Sequence, residues 1–473
     1  MGTRAANQIL AVAAALSVAY GHGLLLDLVK PDLRSPIPWM TFVAPPPTEM
    51  FTLVRACVLV SWGVAAVVSL VGLVRQRQGA GRGAGVWQLT VAGVLLAPFV
   101  ITPVVVLARN LGATAICVPS TAFALWALTK MQHYRRMTCW VPLAGLAWGC
   151  LIAAGFASAM SAWFYQYGAA YLLDLGVALQ EPGATVGRLM TLRALNTGFF
   201  EELGKAAGIA MLYFGFRRHI DDVVSGIVVG AAVGLGFNFS ETVLYMSVFD
   251  GAAYQYFGRQ SVGLFASHVA FTALVGAGIG AARQLRERWQ KIVVVFAGLL
   301  AAAGTHFANN ALQPHTTDLR HHLFGNNVWL RDLLGVPMTI VLLQGPLVVL
   351  YLLLSWRGNR TQASAIAVEL ATEARTGHGA VTEQEVPILL SPARRFFLRY
   401  RTFRRQGRGA ARHLRKLHAA QLELATLRWH RTRDEVAPGS PDEQTLRERV
   451  LDFKSGPART ASEPDKLLTE VTA

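Results

Sequence analysis

Charge is what this sequence has least of. Of its 473 residues only 15% are Asp, Glu, Lys or Arg, against about 25% in a soluble globular chain. Apolar residues make up 53% and gather in runs of about 20 or more, so a water-soluble enzyme is excluded and an all-α polytopic membrane protein is indicated. Cysteine is scarce as well. Cys57, Cys117, Cys139 and Cys150 all fall in apolar runs, without the spacings of a zinc ribbon or a secreted disulfide framework, and read as packing residues. The signatures of soluble hydrolases are missing too: there is no GxSxG elbow for a serine nucleophile and no HExxH helix for zinc.

Ten stretches have the roughly 20 apolar residues that a crossing needs: 7–29, 51–74, 86–108, 111–130, 140–165, 189–215, 222–248, 260–282, 291–312 and 334–356. Only Arg109-Asn110 separates the third and fourth, so that pair can form one re-entrant hairpin. The first loosely imitates a secretory signal but reads as a retained helix, because nine spans follow it. One set of loops holds thirteen basic residues: Arg4, Arg75, Arg77, Arg82, Lys130, Arg135, Arg136, Arg217, Arg218, Arg283, Arg286, Arg288 and Lys291. The alternate set holds seven: Lys30, Arg34, Arg109, Arg188, Arg259, Arg320 and Arg331. The richer set faces the cytoplasm by the positive-inside rule, which puts both termini inside a cell membrane. Ala-, Gly- and Arg-rich usage suits a high-GC bacterium.

Three regions follow. Residues 1–165 are N-terminal membrane helices, 166–356 are the block that holds most of the buried ionisable residues, and 357–473 are a basic cytoplasmic tail, partly helical or disordered. The tail has 21 Lys/Arg and 14 Asp/Glu. Its part from Phe396 to Asp434 alternates Arg-rich and apolar positions, which suits an amphipathic helix on anionic lipid or against a partner helix, or else a loose basic tail. No nucleic-acid motif accompanies the charge, so no nucleic-acid partner is expected.

Ionisable side chains deep in a membrane mark function by default. His22, Asp27 and Arg55 lie within about two turns of a span end and can snorkel outward. The sixth span is different: GFFEELGKAAG places Glu201, Glu202 and Lys205 in its middle. A structural ion pair needs one Glu and one Lys, so the second Glu is surplus. The seventh span adds Glu241, the eighth His268 with Thr272 one turn on, and the ninth His306 with Asn310 one turn on. At ~1.5 Å per residue, Glu201, Glu241, His268 and His306 sit roughly 18, 10, 12 and 9 Å below the outer surface, so the cluster opens to the extracytoplasmic side. Gly226, Gly230 and Gly234 on the seventh span, and Gly276 and Gly280 on the eighth, run at four-residue spacing, the small-xxx-small pattern that lets membrane helices pack closely.

Peptide hydrolysis needs an activated water, a group to orient it and donors for the oxyanion. Among apolar helices a carboxylate can serve as general base, a neighbouring His can share the water, and a second His with an Asn one turn away can face the oxyanion. Glu201, Glu241, His268, His306 and Asn310 fill those roles. Three Glu and two His can also ligate zinc, with Glu201, Glu241, His268 and His306 as the ligands, but without HExxH the sequence favours a metal-free water.

The ordered run Glu201-Glu202-Leu203-Gly204-Lys205, Gly234-Leu235-Gly236-Phe237 leading to Glu241, His268, and His306-xxx-Asn310 resembles the PrsW family of intramembrane proteases, within the wider CAAX-type and Abi group. The likeness covers about residues 189–315. In the CAAX branch the second motif usually ends in His, where this chain has Glu241. The resemblance implies that Glu201 is the general base and that Glu202 positions it or takes part. It further implies that Glu241 and His268 hold the water, that His306 with Asn310 stabilises the oxyanion, and that Lys205 supports them. It also implies a single-span membrane protein as substrate, such as an anti-sigma factor cut on its extracytoplasmic side. The rival readings are an ion-coupled transporter, since Glu/His chains also mark ion pathways, and a non-catalytic membrane scaffold.

Overall fold

A computed structural model of the chain describes residues 3–29, 47–77, 83–135, 137–178, 180, 182–376, 378–433, 436 and 440–455. The loop charges Lys30, Arg34, Arg82 and Arg136, together with Asp434 and residues 456–473, lie outside the described residues. Among the described residues every regular element is helical. The main helices are α1 (Thr3–Val29), α2 (Glu49–Arg77), α3 (Ala84–Arg109), α4 (Leu111–Thr129), α5 (140–178, with widened turns at Trp148–Ala153 and Phe164–Ala169) and α6 (Pro182–Gly215). They continue with α7 (Val223–Val248), α8 (Ser267–Gln284), α9 (Arg288–Phe324), α10 (Val336–Arg375), α11 (Pro392–Arg431) and α12 (Glu443–Ser455).

Nine described helices are long and apolar enough to cross a membrane, and the chain is a multi-pass membrane protein. The tenth expected span, 189–215, is not among them. It forms all the same, inside the 34-residue α6, but Arg188, Arg193, Glu201, Glu202 and Lys205 load that helix with more charge than a lipid-facing span tolerates. Glu201, Glu202 and Lys205 are buried against neighbouring helices instead. The near-terminal charges also pair rather than simply snorkel: Arg55 bridges to Asp27 at 3.0 Å, and Asp27 accepts from the Tyr167 hydroxyl. Cys117 and Cys150 are buried as expected of packing residues, whereas Cys139 is exposed ahead of α5.

The chain divides into two compact units, one of Met1–Thr129 and Thr138–Leu353 and the other of Lys130–Met137 and Leu354–Ala473. In the first, α7 is the central helix, buried along most of its length. Asp222 starts it with a capping box, accepting from the Ser225 amide at 2.8 Å while Ser225 Oγ accepts from the Asp222 amide. Its glycines explain how α8 approaches so closely. A Cβ at Gly226, Gly230 or Gly234 would collide with the backbone carbonyl of Gly276, Thr272 or His268. Gly236 similarly admits the Leu146 carbonyl of α5. Gly230→Val is therefore expected to cost about 3 kcal/mol, read as a lower unfolding temperature in detergent. Gly304→Val on α9, where the new side chain meets open space, is the control that should unfold like the parent.

The second unit has two small apolar cores, one around Tyr134, Ile366, Leu370, Leu389 and Leu422, the other around Leu424, Leu427, Leu446 and Val450. Between α10, α11 and α12 runs an ion-pair network. Arg428 reaches Glu369, Glu373 and Glu443 at 2.8–3.1 Å, and Arg447 reaches Glu373 and Glu443 at 2.7–2.8 Å. Gly407, at φ +82°, breaks α11 into two halves. The apolar positions of its second half, which the sequence offers to lipid or a partner helix, are buried within this unit at Leu422, Leu424, Leu427 and Trp429.

Candidate active site

Four consecutive helices, α6 to α9, bring Glu201, Glu202, Lys205, Glu241, His268 and His306 into one polar cluster within an otherwise apolar interior. Adjacent carboxylates on a helix point about 100° apart, and here each finds a different task. Glu202 is fully buried. Its Oε1 accepts from Lys205 Nζ at 2.8 Å and pairs with His306 Nδ1 at 3.1 Å, and its Oε2 accepts from the Thr272 hydroxyl at 3.1 Å. Glu241 is held from the other side. Its Oε2 accepts from Arg259 at 2.7 Å and meets His268 Nε2 at 2.6 Å.

This network assigns the tautomers. Each imidazole gives its N–H to an outer carboxylate, His268 from Nε2 to Glu241 and His306 from Nδ1 to Glu202. Each inner nitrogen then presents a lone pair toward Glu201 Oε2, His268 Nδ1 at 4.0 Å and His306 Nε2 at 3.7 Å. Glu201 itself takes the weakest support: its nearest cation is Lys205 Nζ at 3.5 Å, and its Oε1 makes no hydrogen bond among the described residues. Lys205 sits at the centre of the cluster, with Nζ also 2.9 Å from His268 Nδ1 and 3.7 Å from the centroid of the Phe237 ring.

A cavity of about 200 Å³ reaches this cluster at Glu201 and Glu241, with room for about six waters. Its walls include Arg193 and Thr197 of α6, Ser240 and Tyr245 of α7, Thr102 of α3, and Ser158 and Ser161 of α5. The N-terminal helices thus build one side of a chamber whose chemistry comes from α6 to α9.

The structure brings together six of the seven residues read from sequence for the site, Glu201, Glu202, Glu241, His268 and His306, with Lys205 as their central cation. Asn310 stands apart. Its amide donates to Thr197 Oγ1 at 3.0 Å and accepts from Asn309 at 3.2 Å, one turn beyond the cluster. The N–H of a neutral His306 is likewise turned to Glu202, so the oxyanion pair expected from His306 and Asn310 does not face the chamber as a pair of donors. Glu241 also differs from its expected place in a ligand set: committed to Arg259 and His268, it stands behind the imidazole. Sequence reading missed Arg259, which lies in the helical segment 252–262 and had counted only as a loop charge.

The sequence model of the family described as PrsW family intramembrane metalloprotease matches residues 137–343. The match supports a peptidase. The match covers α5 through α9 and every residue of the cluster; it names the PrsW family and does not extend to the wider CAAX/Abi grouping. No curated protein and no solved structure matches the chain. A peptidase needs a means of activating water, and the family's description as metalloproteases points to a metal ion, the alternative that the sequence reading set second. Glu201, His268 and His306 form the one group among the described residues whose ligand atoms, all within 4.8 Å of one another, can hold a metal ion.

Proposed function

We propose that this chain hydrolyses a peptide bond in a single-span membrane protein, using a water held at Glu201, His268 and His306 and reached from the extracytoplasmic side of the cell membrane. The observation that carries this reading is the pair of carboxylate-oriented imidazoles whose inner nitrogens converge on Glu201 where it meets the cavity. The placement of both termini in the cytoplasm rests on loop charge and needs α6 to be a tenth crossing. At about 1.5 Å per residue its 34 residues are long enough for one.

The donor set fits zinc. Ligands about 2.1 Å from a tetrahedral ion lie about 3.4 Å apart, near the 3.7 and 4.0 Å separations here. Charge points the same way: Glu201, Glu202 and Glu241 face Lys205 and Arg259, leaving the buried cluster one positive charge short of neutrality. Glu201, His268 and His306 would hold the ion, with Glu241 and Glu202 behind the two imidazoles in the outer positions that fix ring orientation. Bound there, zinc would acidify a coordinated water and polarise the scissile carbonyl. The chain's own residues divide the remaining work. Glu201 Oε2 faces the imidazoles while Oε1 is open to accept a proton from water and pass it to the leaving nitrogen. Lys205 neutralises Glu202 and keeps it aimed at His306. The cavity that meets Glu201 and Glu241 supplies the water.

Metal content tests the metal part. The purified chain should hold about one zinc by elemental mass spectrometry, His306→Ala should lose it, and Glu202→Gln should weaken binding about 10–100-fold. A preparation that cleaves substrate without metal would overturn the zinc assignment and leave Glu201 as the sole activator of water.

A further inference from the structure

We propose that the first half of α11, residues 392–406, docks on an anionic lipid surface through Phe396, Phe397, Tyr400 and Phe403. One stripe of this half-helix, Arg395, Leu398 and Thr402, is buried in its own unit. The four aromatic rings project away from that stripe, each 41–64% exposed, and Phe396 stacks on Tyr400 with ring planes 10° apart. Single exposed apolar residues are ordinary; four aromatics on about two turns of helix form a patch that marks a contact surface. Aromatic rings favour the headgroup region of a bilayer, where an apolar body and a wet edge are both accommodated.

Charge selects the occupant. From residue 386 to 422 the chain has ten Lys/Arg and no Asp or Glu. Arg394, Arg404 and Arg405 are exposed beside the aromatics, and Arg408 follows the Gly407 break. Each basic side chain near an anionic leaflet strengthens attachment about fivefold. Because the same chain spans a membrane, a lipid surface is always present at high effective concentration. The second half of α11 has a different fate, since its apolar face is buried in its own unit. Only the short aromatic half is left to meet lipid.

The test uses the full chain in nanodiscs of phosphatidylcholine alone or with about 30% phosphatidylglycerol, treated briefly with trypsin. Cleavage after Arg404 and Arg405 should be about tenfold slower in the anionic discs. The quadruple change F396S/F397S/Y400S/F403S should abolish that difference, and R394Q/R408Q should reduce it. Cleavage after Arg447, whose side chain is held in the α12 network, reports whether a variant has kept its fold. Equal wild-type rates in both lipids would overturn the proposal, and would point to a protein partner or the chain's own C-terminal segment as the cover.

Discussion

Glu201→Gln is expected to lower the rate of substrate cleavage about a thousandfold while leaving thermal unfolding of the chain close to wild type. The two halves of that expectation come from the same geometry. Glu201 lines the cavity with Glu241, but Glu241 is held by Arg259 and His268; Glu201 Oε1 has no protein partner among the described residues, so losing its basicity removes the group that meets water. Its ties to the fold are weak: Lys205 lies 3.5 Å away and the imidazoles 3.7 and 4.0 Å. In the metal-free chain, an amide of the same shape also relieves one negative charge in a cluster that has one too many. Initial rates on a reconstituted single-span substrate, with a melting curve from the same preparation, check both. A transporter would show altered ion flux instead, and a scaffold would show no functional loss.

Lys205→Met should behave in the opposite way, costing about 3–5 kcal/mol of stability. Lys205 and Glu202 are both fully buried and 2.8 Å apart. Removing the cation strands a carboxylate with no access to water, the costly half of a broken buried pair. Met keeps most of the side-chain volume and a favourable contact with the Phe237 ring, so the loss is electrostatic rather than a cavity. The double change Lys205→Met/Glu202→Gln should recover most of the lost stability, because neither charge is then left alone. It should not recover activity, since Glu202 no longer fixes the His306 ring as a carboxylate. Denaturant titration of Lys205→Met, Glu202→Gln and the double variant against wild type gives the coupling directly. A single Lys205→Met variant as stable as wild type would contradict the placement of this pair.

Much of the membrane region was legible because lipid restricts what a sequence can do. Apolar runs announced the helices, and the surplus charges Glu201, Glu202, Glu241, His268 and His306 stood out against them. The glycine spacing of α7 and α8 announced a close seam, and the structure puts backbone carbonyls where side chains would be. What stayed hidden depends on direction and distance. Helical spacing pairs Lys205 with Glu201 four residues earlier, yet the ammonium lies closer to Glu202, three residues earlier, because His268 and Phe237 hold it from the facing helices. Arg259 could not be assigned, since nothing periodic links it to Glu241 eighteen residues away. The oxyanion role of Asn310 was read from its turn spacing, which cannot show that Thr197 takes its amide. In the tail, Arg-rich and apolar alternation looked the same on both sides of Gly407, and only the packing of Leu422 to Trp429 separates the buried half from the exposed one.

The most direct measurement of the central claim is the mass of the cleavage product. A tagged single-span membrane protein, reconstituted with the purified chain, should yield a fragment whose new terminus maps to its membrane segment or the extracytoplasmic end of it. The fragment should be absent with Glu201→Gln and with His306→Ala. The same fragment appearing with both variants would mean that the bond is not cut by water activated at this cluster.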